Sequence, residues 1–374
     1  MNNGLQVALA NYLERGLTFA CFRRPGKPIE LWVQRTPELD SVDRSVLYEL
    51  NEVFLLAPFQ LDPSRIPFIR ADKDLVIMDP QADCDLFTEF EGTRSIASVS
   101  VADIDQRNYE YGVAHAVDTM DNGPLEKVVL SRTVTTPLED ELVPELFLSA
   151  LDLYQQAFVA LVHTPDHGTW LGASPERFIS ALEDTIRVDA MAATRRADDA
   201  PNEPDEWSVK ERHEQALVTK GILGNMIDLG LRETHTFGPE VIGAGNLAHL
   251  RTTIQADLGG RSLADLVLAL HPTAAVCGTP RKMALEYLLS MERHQRQLYC
   301  GFWGPWSADG ETELFVNLRC MKINNGSATL FTGAGIVKNS DPRNEWEETA
   351  NKAQTWLKLL EALPRPVSSH ADAN

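Results

Sequence analysis

Four stretches between residues 127 and 194 decide the fold class: KVVLSRTVTT (127–136), QAFVALVHT (156–164), ERFISAL (176–182) and DTIRVDAMAAT (184–194). β-Branched and aromatic side chains suit a pleated, half-buried surface, and turn residues separate the runs, so they read as adjacent antiparallel strands. Further on, helical periodicity occupies 206–230, 263–270, 282–292 and 344–363. Between the last two helices, LFVNLRCMKI (314–323) and SATLFTGAGIV (327–337) read as strands flanking Asn324-Asn325-Gly326, a strong hairpin signal. Strands come in runs instead of alternating strictly with helices, which predicts an α+β fold of large antiparallel sheets stacked in a sandwich with surrounding helices.

Outward from this core, residues 1–105 mix a short amphipathic helix, short strands and many prolines, without a chemical motif, and read as scaffold. The polar stretch PRPVSSHADAN (364–374) reads as a disordered tail. The expected organisation is one catalytic domain over 1–363, with 106–363 as its core. The 374 residues are 44% hydrophobic, enough for a large core at this length. With 34 basic against 54 acidic residues the net charge is -20, which argues against non-specific nucleic-acid or anionic-membrane binding. No window reaches roughly 18 uninterrupted apolar residues and no basic segment leads into an apolar run, so a soluble, cytoplasmic chain is expected. Five cysteines without Cys-x-x-Cys spacing indicate reduced thiols, neither a disulfide framework nor a zinc knuckle. The pairs Gly243/Gly245 and Gly333/Gly335 lack the third glycine of a dinucleotide fingerprint, and no Walker A sequence occurs, so neither NAD nor ATP is supported.

Polar residues that break an apolar pattern point to a site. Glu214 shares a helix stripe with Leu217, Val218 and Ile222. On the last helix, Trp346, Ala350, Ala353, Trp356, Leu357 and Leu360 form an apolar arc; Glu345 and Lys352 fall inside it and Glu348 at its edge. Inward carboxylates call for a cation, a metal or several donors. A surface pair between Glu348 and Lys352 at i, i+4, with Glu214 bridging locally, accounts for the same pattern. Lys127 lies on a strand face with Val129 and Ser131, Glu176 follows a Ser-Pro turn, and Arg319 shares a strand face with Phe315 and Asn317. His213 and His249 read singly as structural histidines.

Taken in order, KVVLSR (127–132), GASPER (172–177), KERHEQ (210–215), HLRTTI (249–254), HPTAAVCGTPR (271–281), FVNLRCMKI (315–323), FTGAGIVKNSDP (331–342) and EWEETANKA (345–353) resemble the chorismate-utilising enzymes. That family comprises isochorismate, salicylate, anthranilate and aminodeoxychorismate synthases. The resemblance runs from about residue 126 to 360 and is only vague over the N-terminal hundred. It implies a single α+β domain with a deep cleft beside stacked antiparallel sheets. It also implies a Mg²⁺ ion held by Glu214 and Glu348, with Glu345 nearby, bridging to a ring carboxylate of chorismate. Arg319, the backbone amides at Gly333 and Gly335, and Lys352 would hold the substrate's carboxylates, with Thr194, His249 and Ala275 also lining the site.

Three positions choose a reaction within the family. Lys127 stands where ammonia-using and lysine-nucleophile members carry glutamine, and lysine there marks members that activate water. Ala192 occupies the position of the nucleophilic lysine of aminodeoxychorismate synthases. Ala275 replaces the threonine of anthranilate and salicylate synthases, which eliminate pyruvate. No Gly-x-Cys-x-Gly motif is present, so no glutamine amidotransferase is expected. The combination implies isochorismate synthase chemistry, an isomerisation in which Lys127 deprotonates water and Glu176 protonates the departing hydroxyl. The product would serve menaquinone, siderophore or other biosynthesis. A salicylate synthase and a catalytically silent chorismate-binding subunit are the alternatives, and a metallohydrolase on His213 and Glu214 lacks the two-histidine spacing of zinc enzymes. Ala193 departs from the family's usual glycine, which bears on how the substrate is seated.

Overall fold

The computed structural model describes residues 4–93, 103–244 and 247–363. Its core is two nine-stranded sheets in which every pairing is antiparallel. The first runs β14 (Gly278–Thr279), β7 (Lys127–Pro137), β18 (Ser327–Val337), β17 (Cys320–Asn324), β9 (Gly168–Ser174), β8 (Phe158–Thr164), β1 (Phe19–Arg23), β2 (Ile29–Val33), β6 (Lys73–Ile77). The second runs β12 (Thr234–Ala244), β13 (Leu247–Asp257), β11 (Thr185–Arg196), β10 (Arg177–Leu182), β16 (Thr312–Val316), β15 (Phe302–Trp306), β4 (Val53–Ala57), β5 (Ile66–Arg70), β3 (Asp40–Val42). The strands between Phe19 and Ile77 therefore extend both sheets at one edge.

Inward side chains of the two sheets interdigitate as sandwich packing requires. Phe158 of β8 stacks on Phe315 of β16 with ring centroids 4.2 Å apart. A second apolar layer lies on the far face of the first sheet, where α1 (Gly4–Arg15), α3 (Val143–Leu153) and part of α7 (Pro342–Ala362) bury Leu9, Phe147 and Trp356 with Leu161, Leu171 and Leu330. Helix α2 (Gln106–Asp121) packs on α7, and α4 (Val209–Asp228) on β11 and β13. The short α5 (Leu263–Leu270) and α6 (Arg281–Met291) flank β14. Ser208 and Glu211 form a reciprocal capping box that starts α4, which is why that helix begins inside the periodic stretch at 206–230.

The fold class holds, and three local expectations are corrected. The four diagnostic strands are not all neighbours: β10 and β11 pair directly, whereas β18, β17 and β9 separate β7 from β8. Chain-distant strands insert between them because pairing follows the buried face and not sequence order. LFVNLRCMKI is not one strand. It splits into β16 in the second sheet and β17 in the first, with Asn317–Leu318–Arg319 making the crossing and Arg319 at φ +44°. Arg319 therefore has no strand face to share with Phe315 and Asn317. The buried line of α7 runs through Glu345, Thr349, Ala353 and Trp356, while Trp346, Ala350, Leu357 and Leu360 are only half-buried. Buried threonine makes the rotation affordable, since Thr349 Oγ1 accepts from Arg132 Nε at 2.7 Å and donates to the Trp346 carbonyl.

Other elements escaped the periodicity criteria. In Gly168–Ser174 only Thr169 is β-branched, and α2, α3 and the β12–β13 pair add to the elements read from the sequence. The Asn325-Gly326 turn is as expected, with both residues at positive φ between paired Asn324 and Ser327. The proposed tail at 364–374, and Gly245 of the Gly243/Gly245 pair, lie outside the described residues.

Candidate active site

Two strand ribbons pass from one sheet to the other side by side, and the site forms where they cross. β9 leads through Pro175 and Glu176 into β10, while β16 leads through Asn317–Leu318–Arg319 into β17. The crossings are tied together: Val316 N–H donates to the Glu176 carbonyl and Ala173 N–H to the Arg319 carbonyl, each at 3.1 Å. Backbone that leaves a sheet is released from the strict alternation of a pleated strand, so side chains there need not point alternately to the two faces. Beside the crossing a cleft opens, lined by Glu176, Thr194, Glu214, His249, Ala275, Arg319, Gly333, Gly335, Glu348 and Lys352. Lys127 and Glu345 lie against it, fully or almost fully buried.

Glu214, Glu348 and Glu345 each meet a lysine. Lys127 Nζ is 3.0 Å from Glu214 Oε1, an ion pair by distance whose angles fall outside a hydrogen bond. Lys352 Nζ donates to Glu348 Oε1 and to the Gly333 carbonyl, each at 2.8 Å. Lys210, in the first turn of α4, donates a short hydrogen bond to Glu345. Burial pulls the Lys210 pKa down, but Glu345, Glu348 and Glu214 together hold it above its ordinary value. Burial and the nearby Glu348 raise the Glu345 carboxyl, against the pull of Lys210.

The glycines have a steric reason beyond access to backbone amides. A Cβ on Gly335 would sit 2.0 Å from Glu214 Oε1, and one on Gly333 would sit 2.9 Å from the Tyr299 hydroxyl. Neighbouring β18 must be bare there for the α4 carboxylate to reach the sheet.

Glu176 is 3% exposed, and its carboxyl is pushed up to about 8, first by burial and then by Asp189, with Lys127 and Lys352 opposing. It is therefore mostly protonated at neutral pH and able to donate. His249 Nδ1 lies 3.1 Å from the Ala193 carbonyl, which can only accept, so Nδ1 carries the proton. Nε2 then accepts from Arg319 Nη2 at 2.5 Å, and burial with Arg319 keeps the ring neutral, well below its ordinary pKa. Trp356 Nε1–H donates to the Arg319 carbonyl at 2.6 Å, so the guanidinium is held from both ends of its residue. Ala193 sits at a bulge of β11 with φ +58°, a backbone region that favours glycine.

A divalent ion needs hard oxygen donors facing one cavity. Glu214 and Glu348 supply two, and among the described residues no three His, Cys, Asp or Glu side chains converge into a cage. Few carboxylates, with the remaining coordination left to water and ligand, suit Mg²⁺. His213 is exposed and does not line the cleft, which removes the basis for a His213–Glu214 zinc site. Sequence reasoning passed over Lys210, Asp189 and Tyr299. A lysine within the first turn of a capped helix, where the macrodipole disfavours a cation, was the available signal for Lys210.

The model of the family described as chorismate binding enzyme matches residues 82–361. A vibriobactin-specific isochorismate synthase of Vibrio cholerae is 30% identical over 71% of this chain and 69% of its own length. The isochorismate synthase DhbC of Bacillus subtilis is 31% identical over 68% of this chain and 67% of its own. In fold, the chain is similar to a crystal structure from Bacillus anthracis assigned as a 2,3-dihydroxybenzoate-specific isochorismate synthase, with TM-score 0.76 and 24% identity over 96% of this chain and 99% of that one.

Proposed function

This chain belongs to the chorismate-binding enzyme family, and from that premise we propose that it interconverts chorismate and isochorismate. The observation that carries the reading is Glu176, a buried carboxyl raised toward its protonated form in the same cleft as a positioned guanidinium, Arg319, with a fully buried lysine, Lys127, paired behind the lining to Glu214. A simple binding subunit has no need of a buried proton donor. The names of the two relatives above point the same way.

Chorismate carries two carboxylates. Arg319, aimed by His249 and Trp356, would take one as a charge-assisted pair, with Lys352 close by. Glu214 and Glu348 would hold Mg²⁺, which when bound would neutralise and orient the ring carboxylate. Lys127, once its ion pair with Glu214 gives way and it has lost a proton, would take a proton from water as its oxygen bonds to C2. The ring double bonds shift, the C4–O bond breaks, and Glu176 gives its proton to the departing hydroxyl, which leaves as water. One water enters and one leaves, so the conversion is an isomerisation with an equilibrium near unity. Ala275, without a hydroxyl beside the ring, favours stopping before pyruvate is lost.

The test is to incubate the protein with chorismate, with and without Mg²⁺, to identify products by chromatography and proton NMR, and to assay pyruvate in parallel. A mixture of chorismate and isochorismate, formed only with Mg²⁺ and without pyruvate, is expected. Salicylate with pyruvate would replace this reading by salicylate synthesis, and absence of turnover by a binding role.

A further inference from the structure

Lys210 carries no part in the proton transfers above, yet it lies beside the acids of the site. It is the second residue of α4 (Val209–Asp228, N-cap Ser208), a position where the helix dipole disfavours a cation. Its ammonium crosses to α7 to bond Glu345, whose side chain is 2% exposed, while its own side chain is 33% exposed and keeps a path to solvent. Glu348 and Glu214 lie near enough to add to the electrostatic hold on it. The carboxylates are drawn apart, Glu214 toward Lys127, Glu348 toward Lys352 and Glu345 toward Lys210, and no ion cage is preformed among the described residues. A buried carboxylate without a partner is costly, and the Lys210 ammonium is what meets Glu345 here.

We propose that Lys210 is a resident counter-cation of the metal site: its ammonium holds Glu345 while the divalent ion is absent and competes with that ion for the same acidic pocket. The inference rests on the Mg²⁺ reading above. Entry of the ion would release Lys210 toward solvent, and departure of the ion would let it return, so the acidic pocket is never left without a positive charge.

The experiment is calorimetric titration of MgCl₂ into wild type and Lys210→Met, without substrate, together with thermal midpoints of both proteins with and without saturating Mg²⁺. Lys210→Met is expected to bind Mg²⁺ about tenfold more tightly or better, since a competitor has been removed. Its midpoint should lie below wild type without Mg²⁺, and the gap should close with it. A purely structural ion pair would lower the midpoint equally in both conditions and leave the affinity unchanged, and that result overturns the proposal. Lys210→Arg keeps the charge and should behave as wild type; if it follows the methionine variant instead, a resident cation is not the cause. If Lys210→Met folds only with Mg²⁺ present, the proposal is supported. If neither protein binds Mg²⁺, the metal reading itself fails and this inference with it, whereas equal binding by both sinks the Lys210 role alone.

Discussion

Burial gives Glu176 its chemistry. A carboxyl pushed up to about 8 is a proton donor below that pH and an anion above it. The rate of the forward reaction is therefore expected to fall as pH rises through about 8, and a pH profile of kcat/KM that stays level there would remove Glu176 as the acid. Glu176→Gln keeps the shape without the proton and should cost about 10²–10⁴ in turnover while chorismate still binds with Mg²⁺; steady-state rates and equilibrium binding read the two separately. Ala193 is a second residue whose backbone states its requirement. Its left-handed φ costs roughly 1–2 kcal/mol for a residue with a Cβ. Glycine would relieve that but would cost about 0.4–1 kcal/mol through the freer unfolded chain. Ala193→Gly should accordingly stabilise by between about 0 and 1.6 kcal/mol in denaturant unfolding, and destabilisation would show that the methyl group packs usefully.

Among the elements, the site is a meeting of α4 and α7 over β18, and β18 is shaped to allow it. Gly335→Ala should displace the Glu214 carboxylate from a contact of 2.0 Å to the new methyl position, abolishing turnover and weakening Mg²⁺ binding with the far-UV spectrum retained. Gly243→Ala on β12, where a Cβ meets nothing within 4 Å, is the matched control and should leave activity intact. Loss of activity in both would point to general strand damage. Helices α4 to α7 were legible because their apolar periodicity survives in sequence, whereas α2, α3 and the cap that starts α4 at Ser208 were not. The orientation of α7 was not. Its buried Thr349 and Thr355 read as polar; Thr349 becomes an interior residue through hydrogen bonds with Arg132 and the Trp346 carbonyl, whereas the Thr355 hydroxyl is buried with no hydrogen-bond partner among the described residues.

For the whole molecule, one buried ion pair joins distant parts around the cleft. Arg296, 4% exposed, donates to Glu292, to the Val276 carbonyl before β14 and to the Val129 carbonyl of β7, and Glu292 also accepts from the Ser131 amide and hydroxyl. Arg296→Met strands the Glu292 charge and should cost about 3–5 kcal/mol in urea unfolding, with activity lost alongside stability; a cost under about 1 kcal/mol would mean that water enters to replace it. By itself the sequence determined the α+β class, the hairpin at Asn325-Gly326 and the set of residue types that gather in the cleft, because strand alternation, turn chemistry and motif order are local properties of the chain. It did not determine that β7 and β8 stand apart, that Leu314–Ile323 crosses between sheets, or that Lys210 faces Glu345. Those depend on which distant strands complete each other's hydrogen bonds and on how buried charges find partners, and only the packed chain decides both.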